Sequence, residues 1–304
     1  MKIVITDGID KKGEEILRNA GFELTIQKYS PEELIDIIGG FDAIIVRSAT
    51  KVTKEVIDAG KNLKVIARGG VGLDNIDVEY AKSKGIEILN TPGASSISVA
   101  ELALAHMFAV ARFLNLSNIE MREGKWPKKE YSKGFELTGK TLGIIGLGNI
   151  GKEVAKRAIG LQMKVIAYDP FVTSTDLDVE LVSKDELLTR ADIISLHLPK
   201  VKGEPPAIAA PEFAKMKKGV VIINCARGGV VAEKDLLEAL NNGTVLAAGI
   251  DVFENEPPTE AQKELINHPR VSVTPHIGAS TVEAQERVGV EIAQKVVEAL
   301  RKYQ

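Results

Sequence analysis

The stretch Gly146-Leu147-Gly148-Asn149-Ile150-Gly151 constrains the fold of this chain more than any other. An apolar run of strand length, Thr141-Leu142-Gly143-Ile144-Ile145, leads into it, and Ile150 to Leu161 reads as the helix that follows. A second apolar run, Val165-Ile166-Ala167-Tyr168, ends on Asp169, eighteen residues beyond Gly151. A bare GxGxxG is a weak pattern, but strand, turn, helix, strand and acid in that order give it a mechanism. Gly146 permits the tight turn, Gly148 lets a pyrophosphate approach the backbone, and Gly151 allows helix and strand to pack closely. The helix N-terminus offers unpaired N–H groups to the phosphates. Asp169 accepts hydrogen bonds from a ribose with free hydroxyls and repels a 2′-phosphate, so the expected cofactor is NAD. The plain alternative, a glycine-rich βα turn that binds nothing, leaves the acid and the second strand without a purpose.

Short apolar runs alternate with amphipathic stretches almost throughout, the pattern of parallel βα units. In the first third, strands are expected near Lys2–Thr6, Phe22–Ile26, Ala43–Val46, Lys64–Ala67 and Ile86–Leu89. Helices fall between them at Lys11–Asn19, Pro31–Ile38, Thr53–Ala59 and Asp77–Ser83. Ser30 before Pro31 is a natural helix start, serine capping and proline filling the first turn. After Asn90-Thr91-Pro92-Gly93 comes a long Ala-rich apolar segment, Ser96 to Leu114, which predicts one helix buried between domains or subunits. The basic stretch Met121 to Leu137 holds the only tryptophan, Trp126. Beyond Asp169, strands are expected at Ile193–Leu196, Val220–Asn224, Val245–Ile250 and Val271–Thr274, with helices at Lys184–Thr189, Glu233–Asn241 and Glu260–Ile266. Thr281 to Lys302 carries Val288, Ile292, Val296 and Leu300 at helical spacing, and a helix of that length can return the chain to the first domain.

At 304 residues the chain has room for two domains, each with its own core. Its formal net charge of −3 gives no electrostatic reason to expect nucleic acid or an acidic membrane as partner. One cysteine excludes an intrachain disulfide and suits a reducing compartment. Met1-Lys2-Ile3-Val4-Ile5-Thr6-Asp7 reads as a first strand, not a signal peptide, and no apolar run reaches the ~18 residues of a membrane helix. A cytoplasmic protein is expected.

Three segments past predicted strand ends bear chemistry, and in an open parallel sheet those ends line the ligand crevice. In Asn224-Cys225-Ala226-Arg227-Gly228-Gly229, the guanidinium of Arg227 can hold a carboxylate with two parallel hydrogen bonds; a surface arginine in a tight turn is the alternative. Asp251-Val252-Phe253-Glu254-Asn255-Glu256-Pro257-Pro258 places Asp251 to face a nicotinamide and holds Glu256 ahead of two stiffening prolines; a solvated acidic loop is the alternative. Thr274-Pro275-His276-Ile277-Gly278-Ala279-Ser280-Thr281 offers His276, the side chain best suited to exchange a proton near neutrality. Glu256 beside it would favour the charged imidazole and fix its orientation.

Of the other histidines, His106 reads as a core or interface residue, His197 ends a strand on the cofactor side, and His268 belongs to a turn. Their spacing offers no metal site, and Cys225 reads as a small buried thiol. In the first domain, Arg47 and Ser48, and the run Ala67-Arg68-Gly69-Gly70-Val71-Gly72-Leu73-Asp74-Asn75, also follow strands. The second presents consecutive N–H groups able to cradle an anion.

In their order along essentially the whole chain, these segments resemble the D-isomer-specific 2-hydroxyacid dehydrogenase family. The resemblance implies an α/β fold of two Rossmann-like or flavodoxin-like doubly wound parallel-sheet domains. Residues 1–94 and 282–304 would form a discontinuous substrate domain, and residues 95–281 the NAD-binding Rossmann domain. It implies a catalytic set of Arg227, Glu256 and His276. Dinucleotide contacts would come from Val71, Gly146, Gly148, Asn149, Ile150, Gly151, Asp169, Cys225, Ala226, Arg227, Asp251, His276, Gly278 and Ala279. Substrate contacts would come from Arg47, Ser48, Gly69, Gly70, Val71, Gly72, Arg227 and His276, with Lys128 or Lys129 as phosphate partners.

Within the family, Ile45–Thr53, Gly69–Asp77 and Gly124-Lys125-Trp126 are most similar to the branch acting on D-3-phosphoglycerate. This implies NAD-dependent oxidation of that phosphorylated 2-hydroxyacid to 3-phosphohydroxypyruvate, the first step toward serine. A reductase for glyoxylate, hydroxypyruvate or another D-2-hydroxyacid is the alternative, and a dinucleotide-sensing scaffold protein a more distant one. The apolar Ser96–Leu114 segment and the Trp126 stretch predict a homodimer. Where the family has a threonine-rich loop, this chain has Lys200-Val201-Lys202-Gly203-Glu204-Pro205-Pro206, so no cofactor contact is carried over there. The chain ends at Gln304 without the regulatory domains of longer relatives, so serine feedback through such a domain is not expected.

Overall fold

The computed structural model describes residues 1–201 and 203–303; Lys202 of the 200–206 loop, and Gln304, lie outside them. The chain divides into two units, Met1–Ser96 with Ala279–Gln304, and Ile97–Gly278.

The first unit is built on five parallel strands in the spatial order Glu23–Ile26, Lys2–Ile5, Ala43–Val46, Val65–Arg68, Glu87–Asn90. Numbered along the chain this is 2-1-3-4-5, the flavodoxin-like order. Strand residues alternate between two buried faces, as a period of two requires. Ile3, Ile5, Ala43, Ile45, Val65 and Ala67 pack with Ile292, Val296 and Leu300 of the Val282–Arg301 helix. Val4, Ile44, Val46 and Ile66 pack with Leu34, Val56, Ile57 and Ala81 of the intervening helices on the other face. Each fully buried Val, Leu or Ile side chain contributes roughly 1.5–3 kcal/mol. The last helix therefore completes the first unit's core, although it follows the strands it packs on only far along the chain. Ser30 caps the Pro31–Ile37 helix through a reciprocal pair, Glu33 N–H to Ser30 Oγ and Ser30 N–H to Glu33 Oε2.

The second unit is built on seven parallel strands. Their spatial order is Val271–Val273, Val245–Ile250, Val220–Asn224, Ile193–Leu196, Thr141–Ile145, Lys164–Tyr168, Glu180–Leu181. Within the unit this is 7-6-5-4-1-2-3, the Rossmann order with one strand added, and the order reverses between Thr141–Ile145 and Ile193–Leu196. Along Val220–Asn224, Val221 and Ile223 join the core formed with Val154, Ala155 and Ala158. Val220 and Ile222 join the opposite one, with Leu187, Leu236 and Leu240.

One expectation is corrected. The apolar segment is not a single helix from Ser96 to Leu114: it runs Ser96–Ala111, breaks at Phe113, and resumes as Leu114–Arg122 at a bend of 65°. Phe113 takes a φ of 54°, and the Ala111 carbonyl accepts the Phe135 N–H, ending the helical ladder there. Among the described residues no single helix is long and apolar enough to cross a membrane.

Candidate active site

Register brings the chemistry of the second unit to one edge. Tyr168, Ile145, Leu196, Asn224, Ile250 and Val273 are successive partners across the sheet. The next residue on each strand therefore falls in the same row: Asp169, Gly146, His197, Cys225, Asp251 and Thr274. All lie at carboxyl ends, flanking the point where strand order reverses.

The glycine turn fits a dinucleotide. Gly146 has φ 95°. A Cβ on Gly151 would stand 2.1 Å from the Gly146 carbonyl oxygen, so only glycine lets the Asn149–Gly160 helix start so near the strand. Gly148 is exposed, and a Cβ there would meet nothing within 4 Å, leaving room for phosphate oxygens at the helix N-terminus. Asn149 is exposed beside it and Ile150 half-buried. Asp169 accepts the Leu147 N–H through Oδ2 at 2.8 Å and the Phe171 N–H through Oδ1 at 2.9 Å. Each oxygen keeps a lone pair for a ribose hydroxyl.

Arg227 is set by an Asx-type turn: Asn224 Oδ1 accepts the Ala226 N–H, and Asn224 Nδ2 donates to the Arg227 carbonyl. A Cβ on Gly228 would fall 1.8 Å from the Phe253 carbonyl oxygen, so glycine brings this loop against the acidic one. Arg227 is half-buried, and its Nη1 donates to the Ala226 carbonyl at 2.7 Å.

His276 and Glu256 meet. His276 Nδ1 and Glu256 Oε2 are 2.6 Å apart, with side chains 44% and 37% exposed, so the pair is reachable from solvent. Glu256 Oε1 also accepts the Phe253 N–H. Burial works to raise the pKa of Glu256, but the hydrogen bond and charge of His276, the Phe253 N–H and the charge of Arg227 outweigh it and hold the carboxyl below its ordinary value. With Nδ1 on the carboxylate, Nε2 is the nitrogen that can take or give a proton.

Asp251, expected to face the nicotinamide, is 1% exposed. Its carboxylate instead holds the His276 loop from within: Oδ1 accepts the Thr274 hydroxyl at 2.6 Å and the Ile277 N–H at 2.8 Å, and Oδ2 the Gly278 N–H at 2.8 Å. Gly278 is buried in that contact. Cys225 and Ala226 are buried as well, and burial, with the nearby Asp251 charge, pushes the Cys225 thiol far up, leaving it no nucleophile. His197 bonds to Ser195 Oγ through Nε2 at 2.8 Å, and burial takes its pKa down to about 3. Among the described residues no three His, Cys, Asp or Glu side chains are placed to hold a metal ion.

The first unit has its own polar edge. Val46, Arg68 and Asn90 are partners in one row, followed by Arg47, Gly69 and Thr91. The Arg47 N–H donates to Asp7 Oδ2 at 2.7 Å, and its guanidinium bonds to Gln285 Oε1. Burial lowers the pKa of Arg47, partly countered by the Asp7 charge. Arg47, exposed Ser48, Asp7, Thr281 and Gln285 line an open hollow. Gly69 is buried, while Gly70, Val71 and Gly72 are half-buried, with the Val71 carbonyl taken by Asn90 Nδ2 at 2.7 Å. Val71 and Ala279 belong to this unit, and the remaining expected dinucleotide contacts to the other. Lys128 and Lys129 are exposed on the second unit, ahead of the Glu130–Lys133 turn. Arg68 was not singled out from sequence, because the glycines after it drew the anion-cradle reading; its signal is a cation at the last strand position, where the aligned residues are apolar or neutral.

A guanidinium, an imidazole bonded to a carboxylate, and a glycine turn that fits a dinucleotide lie on one sheet edge, a set of groups able to serve hydride exchange between a carboxylate-bearing alcohol and a nicotinamide. The family model described as D-isomer specific 2-hydroxyacid dehydrogenase, NAD binding domain, matches residues 104–278. The chain is 52% identical over 301 residues to a hydroxypyruvate reductase of Thermotoga maritima, covering 98% of each. It is 46% identical over 301 residues to a D-3-phosphoglycerate dehydrogenase of Archaeoglobus fulgidus, covering 98% of this chain and 57% of that relative. It thus spans little more than half the length of that phosphoglycerate relative. The fold matches the crystal structure of a glyoxylate reductase from Paecilomyes thermophila with a TM-score of 0.91 at 34% identity, over 100% of this chain and 96% of that one.

Proposed function

The chain belongs to the D-isomer specific 2-hydroxyacid dehydrogenase family, with NAD as cofactor, and from that premise we propose that it oxidises D-3-phosphoglycerate to 3-phosphohydroxypyruvate, the first step toward serine. The observation that carries the chemistry is the 2.6 Å His276–Glu256 contact on the sheet edge that also bears Arg227. NAD, when bound, supplies the acceptor for the hydride that leaves the substrate's C2. Arg227 holds the substrate carboxylate and polarises the C2 oxygen. His276 Nε2 takes the hydroxyl proton as the C=O bond forms, and Glu256 stabilises the imidazolium that results. In the reverse direction the same nitrogen returns the proton to the carbonyl oxygen.

The phosphorylated substrate is favoured by Arg47 and Arg68 and by the N–H run at Gly69–Gly72, all at the carboxyl edge of the five-stranded sheet. A phosphate adds about two negative charges, which guanidinium groups bind in bidentate fashion. The 52% identity with the Thermotoga hydroxypyruvate reductase over almost its full length supports a second reading, in which the substrate pair is hydroxypyruvate and D-glycerate. One comparison separates them. A kcat/KM for D-3-phosphoglycerate well above that for D-glycerate is expected; equal values, or a preference for D-glycerate, would make the second reading the right one.

A further inference from the structure

His106 is buried at 2% exposure in the Ser96–Ala111 helix, and no step of the proposed reaction uses it. Its place is made for it. A Cβ on Gly249 of the Val245–Ile250 strand would lie 2.5 Å from His106 Cβ, so only glycine lets the helix bring the imidazole this close to the sheet. Both ring nitrogens are engaged, Nδ1 with Ser272 Oγ at 2.9 Å and Nε2 with Thr274 Oγ1 at 3.0 Å. Thr274 Oγ1 in turn lies 2.6 Å from Asp251 Oδ1, and Asn115 Nδ2 lies 2.9 Å from Ser272 Oγ.

Hydrogen counting assigns each donor along this chain. Asp251 Oδ1 already accepts the Ile277 N–H, so the Thr274 hydroxyl spends its one proton on that carboxylate. Thr274 Oγ1 must then accept from His106, which places the imidazole proton on Nε2. Nδ1 is left with its lone pair, and the Ser272 hydroxyl donates to it while accepting from Asn115. Every polar atom in the line is satisfied in one direction only: Asn115 to Ser272 to His106 to Thr274 to Asp251. Burial lowers the pKa of His106, with the Asp251 charge opposing it, in keeping with the uncharged ring this count requires.

We infer that His106 is a positioning residue for the reaction: donating from Nε2, it orders the Thr274 hydroxyl and through it the Asp251 carboxylate, which holds the loop carrying His276. The inference rests on the assignment of His276 as the proton-exchanging residue. A buried line of this kind is high in consequence, because its members polarise and orient one another in a low-dielectric interior. A displacement of the catalytic imidazole by about 1 Å costs on the order of a hundredfold in rate.

The test compares His106→Leu, which keeps the bulk and removes both nitrogens, with His106→Gln, whose Nε2–H can reach Thr274. In the full-length protein, at a temperature where both variants are folded by circular dichroism, His106→Leu should lower kcat by on the order of ten- to a hundredfold with little change in KM for NAD. His106→Gln should recover most of that loss. Long-range 1H–15N NMR of the wild-type imidazole should show a neutral ring protonated at Nε2. Should His106→Leu not fold, Thr274→Val breaks the same line one step later and should lose kcat alike. A wild-type kcat in the folded Leu or Val variant, a loss shared equally by Leu and Gln, or a ring protonated at Nδ1 would overturn the inference. Failure of the His276 assignment reads differently, as turnover surviving in His276→Ala whatever residue 106 is.

Discussion

His276 is held at a φ of 53°, where a non-glycine residue is uncommon, and such a conformation costs about 1–3 kcal/mol. Its N–H donates to the Asp251 carbonyl at 2.8 Å while the Asp251 carboxylate binds the next two N–H groups, so one buried acid offsets the strain and fixes the ring's direction. The candidate residues could be named from sequence because the proposed chemistry demands their types: a guanidinium for a carboxylate, an imidazole for a proton, an acid for a ribose. What Asp251 binds was not, since its partners lie more than twenty residues further along and follow from sheet register alone. Asp169 joins the two kinds of evidence, being an expected ribose reader that the structure also ties to the glycine turn. Asp169→Ala should lower the ratio of kcat/KM for NAD to that for NADP, through loss of both the ribose acceptor and the repulsion of a 2′-phosphate. An unchanged ratio would remove Asp169 from cofactor selection.

Elements with a clear pattern were readable to within a residue or two, as at Ala43–Val46 and Val220–Asn224, where runs of β-branched and aliphatic residues mark strands buried on both faces. Those that escaped are short or depend on distant contacts. Glu180–Leu181 and Ala210–Phe213 span too few residues to show a period. The break at Phe113 has no glycine or proline to announce it; it follows from the Ala111 carbonyl pairing with Phe135 and from the Phe113 ring meeting Tyr131 at 5.5 Å between centroids. The broken segment leaves Ile97, Phe108, Leu114, Ile119 and Met121 exposed, and Trp126 just beyond it is 76% exposed. Apolar residues gathered in one stretch need covering, and we propose a second copy of this chain as the cover. Light scattering at micromolar concentration should give a dimer mass, and Trp126→Lys with Phe108→Lys should shift it toward the monomer. A monomer mass for the unaltered protein would contradict this.

For the molecule as a whole, the alternating texture of the sequence was enough to indicate two parallel α/β sheets, whereas strand order is set by crossovers that local pattern does not encode. Titration adds a property of the entire chain. Burial lowers the pKa of His106 and His197, the latter to about 3, and burial with the charge of Arg270 lowers that of His268. In the unfolded chain each returns to about 6.5, so the unfolded state binds more protons below that pH. The stability associated with these neutral rings is whole above about pH 6.5 and is lost as the pH falls toward the folded values. Glu233, raised by burial, acts in the opposite sense nearer the carboxylate range. Tm should therefore hold steady from pH 8 to 7 and decline between 6.5 and 5; a Tm that is flat or rising over that interval would mean these rings are not held neutral.

In the proposed reaction one imidazole, His276, exchanges the proton that accompanies hydride transfer. Steady-state turnover and NADH binding of His276→Ala, measured side by side, test it most directly. The expected result is a kcat lowered by on the order of 10²–10⁴ with NADH affinity close to that of the unaltered protein, since the turn at Gly146–Gly151 is untouched. Turnover at the unaltered rate in that variant would contradict it.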